Sequence, residues 1–154
     1  MKILRSEILL PITLQEAWDF FSTPNNLNKI TPEDMIFKIT STVPEKMYAG
    51  LLITYKITPL LNIPLEWVTE ITHIEEPHYF VDELRKGPYR IWHHEHHFKA
   101  TKEGTLMTDI LYYDVGKSIF GWLAEKIYVD SKVKQIFKFR EQKLIEIFSG
   151  NLVK

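Results

Sequence analysis

The sequence predicts an α+β fold: one antiparallel sheet of about seven strands packs against a long C-terminal helix, with two short helices after the first strand. Three observations predict it. Between residues 35 and 114 the apolar residues mostly alternate at period two, in segments parted by the turn residues NIP, EEPH, KGP and KEG. The stretch 117–148 contains no proline and carries Leu123, Ile127, Phe137, Leu144 and Phe148 near helical spacing. Two helix-start signals stand between the opening strand and the rest of the sheet.

The elements follow in order. Leu4, Ile8 and Leu10 alternate as in a strand. TLQE at 13–16 then forms a capping box, with Thr13 capping a helix that carries Ala17, Trp18, Phe20 and Phe21. Thr23 followed by Pro24 starts a second short helix with Leu27 and Ile30, which Pro32 stops. Met35, Phe37 and Ile39 alternate, as do Leu51, Ile53, Tyr55 and Ile57. Strands near 65–74, 79–85, 89–100 and 105–114 complete the sheet. A sheet with one apolar face and one long amphipathic helix must lay the helix across that face, so 117–148 is expected as one helix burying Leu123, Ile127, Phe137 and Leu144.

Length and composition set the bounds. At 154 residues and 45% apolar content, the chain suits one compact domain over 1–154. A net charge of −1 gives no electrostatic footprint for nucleic acid. With no cysteine, disulfides and thiolate metal sites are excluded. The start MKILRSEILLPIT lacks the apolar core of a signal peptide, and no apolar run approaches the roughly 20 residues of a membrane span. A cytoplasmic protein with no integral membrane segment, a monomer or weak homodimer, is expected.

GPYRIWHHEHHFKAT at 87–101 places four of the six histidines around Glu95. After a Gly-Pro turn, and leading through KEGT into the alternating LMTDILYY, this segment reads as one arm of a hairpin. A strand splits the cluster by parity: Trp92, His94, His96 and Phe98 face one way, and Ile91, His93, Glu95, His97 and Lys99 the other. The face with Trp and Phe at its ends is expected inside. If the turn centres on 102–104, Met107, Asp109, Leu111 and Tyr113 share that face. Across the GPY turn Phe80, Asp82 and Leu84 join them, and through the EEPH turn so do Trp67, Thr69 and Ile71. A one-residue bulge would reverse any of these assignments.

The expected inner surface is aromatic and aliphatic, with Asp82, His94, His96 and Asp109 embedded as a polar group that must pair to be buried. His94 and His96 with a carboxylate across the hairpin resemble a two-histidine, one-carboxylate metal set, and His93, Glu95 and His97 offer a second chelating trio. Against this, there is no third inner histidine, no HExxH on a helix and no cysteine. The expectation is therefore no metal and no cofactor. The inner group is read as a hydrogen-bonded network that fixes strand register, a role compatible with facing a ligand, and the outer trio as a solvated face.

ITPE (30–33), MYAG (47–50), Tyr55, IPLEW (63–67), FVD (80–82), GPY (87–89), WHH (92–94), Phe98, GTLMTD (104–109), Tyr113 and FKFR (137–140) occur in an order and spacing that span nearly the whole chain. In these the sequence resembles the SRPBCC superfamily, also called START/Bet v 1-like, and within it the small bacterial ligand-binding branch sometimes labelled polyketide cyclase or cell division inhibitor. The resemblance implies a helix-grip fold, in which a curved sheet wraps the C-terminal helix around an apolar cavity. It implies no particular ligand. Lacking a Rieske-type motif, the chain is not expected to carry oxygenase chemistry.

The residues agree with a cavity. Aromatics make up 13% of the chain and suit a pocket for flat or elongated apolar molecules, although any one of them can equally fill the core. Ligand contacts are expected from Tyr55, Trp67, Phe80, Trp92, Phe98 and Tyr113, with Asp82, His94, His96 or Asp109 orienting one polar group. Ser131 is expected in the ligand site as a small residue near the helix's inner stripe, where it leaves space. Arg140 lies near the same stripe, either meeting an acidic group or reaching the surface. Phe120 and Trp122 gate the mouth or anchor the helix. Binding or carrying a small hydrophobic or lipid-like molecule is the favoured reading. The alternatives are a cyclase- or dehydratase-type enzyme, with His94 or His96 as general base oriented by Asp109 or Asp82, and a module that docks a protein or membrane surface.

Overall fold

The computed structural model describes residues 1–35, 37–58, 64–116 and 124–150, the side chains of 124–128 excepted. Seven strands form one antiparallel sheet: β1 (Lys2–Leu10), β2 (Lys38–Ile39), β3 (Leu51–Ile57), β4 (Leu65–Glu75), β5 (Tyr79–Lys86), β6 (Ile91–Thr101) and β7 (Gly104–Asp114). Their order is β1-β7-β6-β5-β4-β3-β2, so the sheet runs by successive hairpins from β7 to β2 and β1 closes beside β7. Helix α1 (Leu14–Phe21) follows β1, and α2 (Ala124–Ser149) ends the fold.

Thr13 caps α1 through the expected reciprocal pair: its Oγ1 accepts from the Glu16 N–H at 3.2 Å, and Glu16 Oε2 accepts from the Thr13 N–H at 2.8 Å. The helix thereby presents Trp18 edge-on to Phe80 and Phe98, at centroid distances of 6.0 and 6.1 Å. Together with Leu10, Met107, Leu144 and Phe148 these rings form the core at one end of the sheet. A second cluster, around Ile53, Tyr55 and Ile71, lies under β3 and β4. A third joins Leu111 and Tyr113 to Val133 and Phe137 of α2. The helix thus spans the inner face, with Phe137 and Leu144 buried as expected.

Two expectations change in detail, and two fall partly outside the described residues. The second short helix is a 3-10 helix, Pro24–Ile30. Met35 ends a further 3-10 turn, Glu33–Met35, in which its N–H donates to the Pro32 carbonyl at 3.1 Å; the alternation at 35–39 therefore yields a strand of only two residues. The long helix is described from Ala124, so the expectations for 117–123, which include Phe120, Trp122 and Leu123, lie outside the described residues, as does the side chain of Ile127. The described part of the IPLEW segment begins at Pro64.

Register decides which side chains meet. In the β6–β7 hairpin Gly104 has φ +137°, and a Cβ there would stand 2.1 Å from the Leu10 carbonyl oxygen, so only glycine permits this close approach. The turn it makes sets Trp92 opposite Tyr113, His94 opposite Leu111, His96 opposite Asp109 and Phe98 opposite Met107. On the other side of β6, Asp82 faces His94 and Phe80 faces His96. Between β4 and β5 the register shifts after Ile71, where Thr72 is an extra residue. That bulge lets odd-numbered Trp67, Thr69 and Ile71 and even-numbered Ile74 all contribute to the inner side.

Candidate functional site

Strand pleating brings two histidines and two aspartates together on the buried face. His94 and His96 project from β6 on the same side, with rings 3.8 Å apart, between Asp82 of β5 and Asp109 of β7. His94 Nε2 donates to Asp109 Oδ1 at 3.0 Å, and its Nδ1 lies 3.5 Å from Asp82 Oδ2. His96 Nε2 donates to Asp82 Oδ2 at 2.8 Å. Its Nδ1 lies 2.8 Å from Asp109 Oδ1 but out of line for a hydrogen bond, so this buried atom has no partner among the described residues. Phe80 stacks on the His96 ring at 4.2 Å, and Phe137 of α2 lies 5.5 Å from the His94 ring.

Burial and pairing oppose each other here, and their balance differs by residue. Burial drives the carboxyls of Asp82 and Asp109 up, yet hydrogen bonds and charge from the histidines outweigh it and hold both below the ordinary carboxylate range. Burial and the neighbouring His96 charge push His94 down. In His96 burial also acts downward, but the close Asp109 carboxylate and the hydrogen bond to Asp82 prevail and raise it. The two imidazoles are thus pushed in opposite directions, His96 holding a proton more tightly than His94.

The group forms part of the wall of a cavity of about 660 Å³ between the sheet and α2. Part of the wall is aromatic: Trp67 lies edge-on to Tyr89 and Trp92, at 5.6 and 5.1 Å. Phe20, Phe21, Leu27 and Met47 also line it. Helix α2 contributes Lys132, Ile136 and Arg140, spaced at four so that they share a face. Lys132 is held by Asp34 at 2.9 Å. Arg140 sits with its guanidinium 5.4 Å from the Phe137 ring centroid, and its buried Nε has no partner among the described residues.

Of the residues expected to contact a ligand, Tyr55, Trp67, Phe80, Asp82, Trp92, His94, His96 and Arg140 line this cavity. Four others lie elsewhere. Asp109 is buried behind the histidine rings. Phe98 belongs to the core around Trp18, because its position on β6 lies beneath α1. Tyr113 packs against Val133, and its hydroxyl donates to Asp130 at 2.5 Å. Ser131 is exposed and accepts from Gln135, one helical step of about 100° away from Lys132. Tyr89, Ile136 and Met47 are wall residues that the sequence reading did not single out. The four-residue spacing of 132, 136 and 140 is the signal that would have found Ile136.

The outer face carries the other half of the histidine cluster. His93 Nδ1 meets Glu83 at 2.8 Å and His97 Nε2 meets Glu95 at 2.8 Å, in half-exposed surroundings. The hydrogen bond from His97 holds the Glu95 carboxyl below its ordinary range.

No protein-family model matches the chain, and no curated protein matches its sequence. Solved structures do match its fold. Protein Ms6760 from Mycobacterium smegmatis superposes with a TM-score of 0.70 at 16% identity, covering 97% of this chain and 92% of its own. TTHA0849 from Thermus thermophilus gives 0.68 at 16% identity, over 95% and 99%. Ara h 8.0201, a Bet v 1 homologue, gives 0.64 at 10% identity, over 94% and 98%. The chain therefore has the helix-grip, Bet v 1-like fold of the SRPBCC proteins. Among the described residues no helix is long and apolar enough to cross a membrane.

Proposed function

We propose that the protein binds or carries a small, largely apolar or aromatic molecule bearing one polar group, held in the cavity between the sheet and α2. The supporting observation is the make-up of the wall. A volume of about 660 Å³ lies within the usual range for small-molecule sites, and aromatic and aliphatic side chains surround one compact patch formed by Asp82, His94, His96 and Arg140. Apolar surface supplies affinity, and the patch orients the ligand. The partner is a small molecule rather than nucleic acid, for which the charge of −1 gives no attraction.

A naphthalene sulfonate dye tests this reading. It is expected to bind one per chain, to be displaced by fatty or aromatic acids, and to bind at least about tenfold more weakly to Ile136→Trp, which fills the cavity at a cost on the order of 1.4 kcal/mol. Ser131→Trp, on the outer side of the same helix, is expected to leave the affinity unchanged. Equal behaviour of the two folded variants would place binding elsewhere.

A second reading draws on the bond between His94 Nε2 and Asp109. Oriented in this way, an imidazole can act as a general base on an enolisable carbon, as in a cyclase or dehydratase. Identification of the co-purifying molecule by native mass spectrometry, followed by incubation with the protein, separates binding from turnover.

A further inference from the structure

The two inner histidines point their ring nitrogens in two directions, and the two directions differ in kind. His94 Nε2 and His96 Nδ1 both face one oxygen, Asp109 Oδ1, at 3.0 and 2.8 Å. Their other nitrogens, His94 Nδ1 and His96 Nε2, both face Asp82 Oδ2, at 3.5 and 2.8 Å. Asp82, His94 and His96 each offer a ligand atom, and these atoms lie within 4.8 Å of one another. Donors coordinated to one ion at about 2.1 Å stand roughly 3 to 4 Å apart, so this spacing needs little rearrangement. Asp82, His94 and His96 line the cavity, whereas Asp109 does not.

We propose that Asp82, His94 and His96 form a site for one divalent transition-metal ion, with Asp109 orienting both imidazoles from behind and the cavity as the open side. The arrangement follows the usual pattern in which a ligating histidine donates its second ring N–H to a carboxylate, which fixes the tautomer that turns a lone pair toward the metal. His94 already makes that bond. His96 lacks it by alignment alone, and its unpartnered Nδ1 gains Asp109 when the ring turns to ligate through Nε2. The metal takes the place of the proton by which His96 Nε2 bridges to Asp82, and that proton leaves to solvent. Two imidazoles and one carboxylate with no thiolate suit Fe²⁺, Mn²⁺, Co²⁺ or Zn²⁺. The remaining coordination positions face the cavity, where water or an oxygen of the bound molecule fills them. The two-histidine, one-carboxylate pattern noted in the sequence is completed here by Asp82 of the neighbouring strand β5.

This inference depends on the cavity-binding reading only for what those open positions meet. Its test uses untagged protein, stripped with a chelator and titrated with Zn²⁺ by calorimetry and with Co²⁺ by visible absorption. One ion per chain is expected, with cobalt bands showing nitrogen and oxygen ligation. Asp82→Asn, close in shape to the native residue, is expected to abolish the bands, and Asp109→Asn to weaken binding by about 10- to 100-fold. His93→Gln with His97→Gln is expected to change nothing. The proposal is overturned if neither ion binds saturably, if the folded Asp82→Asn protein binds as tightly as the wild type, or if the outer double variant loses the site. Dye affinity measured on the metal-stripped protein keeps the two readings apart: dye binding without metal binding refutes the metal site alone, and the reverse refutes the cavity reading alone.

Discussion

His93 and His97 on one face of β6, and His94 and His96 on the other, form bonds to carboxylates of nearly the same length. The outer contacts run from 2.8 to 3.3 Å and the inner hydrogen bonds from 2.8 to 3.0 Å. Their surroundings differ. The outer rings are 33% and 41% exposed, the inner ones 3% and 8%. Bond length therefore says little about the energy at stake. When an outer partner is removed, water replaces it, and such pairs are worth about 0 to 1 kcal/mol. When an inner partner is removed, a polar or charged group is stranded where little water reaches it.

Four measurements on metal-stripped protein would break or sharpen that comparison. The largest effect is expected from Asp109→Ala, which removes the carboxylate facing both inner rings. Breaking a buried ionic group by deleting one member costs about 3 to 5 kcal/mol, read as a lower midpoint in a urea melt. A loss under about 1 kcal/mol would show that the tetrad contributes no more than a surface pair. His94→Ala and His96→Ala come next, each costing about 1 to 3 kcal/mol by leaving an aspartate short of a donor.

Smaller effects belong to the outer face. Glu95 has its carboxyl lowered in the folded protein by the His97 hydrogen bond, so its contribution is complete above the unfolded carboxylate value, near about 4.3, and fades as the pH falls through the depressed folded value. Glu95→Gln should therefore differ from wild type at pH 7 by about 1 kcal/mol or less, and the difference should vanish in acid. A difference that persists or grows in acid would contradict the pairing. The smallest effects are expected from His93→Gln and His97→Gln, about 0.5 kcal/mol or less in the same melts. Equal sensitivity of inner and outer histidines would mean a different strand register.

The sheet was more legible in the sequence than the helix facing it, and the reason is periodicity. A strand repeats every two residues, so one hairpin turn assigns a side to every residue: the KEG turn puts Asp109 on the face of His94 and His96, the GPY turn puts Asp82 there, and the register then sets Asp109 beside His96 and Asp82 beside His94. A helix advances 100° per residue, so a shift of one position turns a side chain out of the inner stripe: Ser131, expected near it, is exposed, and Lys132 and Ile136 line the cavity. Alternation at Met35, Phe37 and Ile39 misled for another reason. The Pro32 carbonyl accepts from Met35 and closes a local turn, and three residues of pattern do not outweigh a formed hydrogen bond. The two-histidine, one-carboxylate set is legible in the sequence, whereas which aspartate each ring nitrogen meets depends on ring orientation, which no spacing in the chain records.

The extra residue at Thr72 gives β4 two reading frames. On one side of it the odd positions, Trp67, Thr69 and Ile71, face the inner side; on the other, Ile74 packs with the core around Trp18. Substitution at Thr72 leaves both frames in place, whereas deleting it puts them in conflict, so that either the cavity wall or the core loses its apolar residues to the outer face. Along this strand the chain should tolerate changes of letter far better than changes of length.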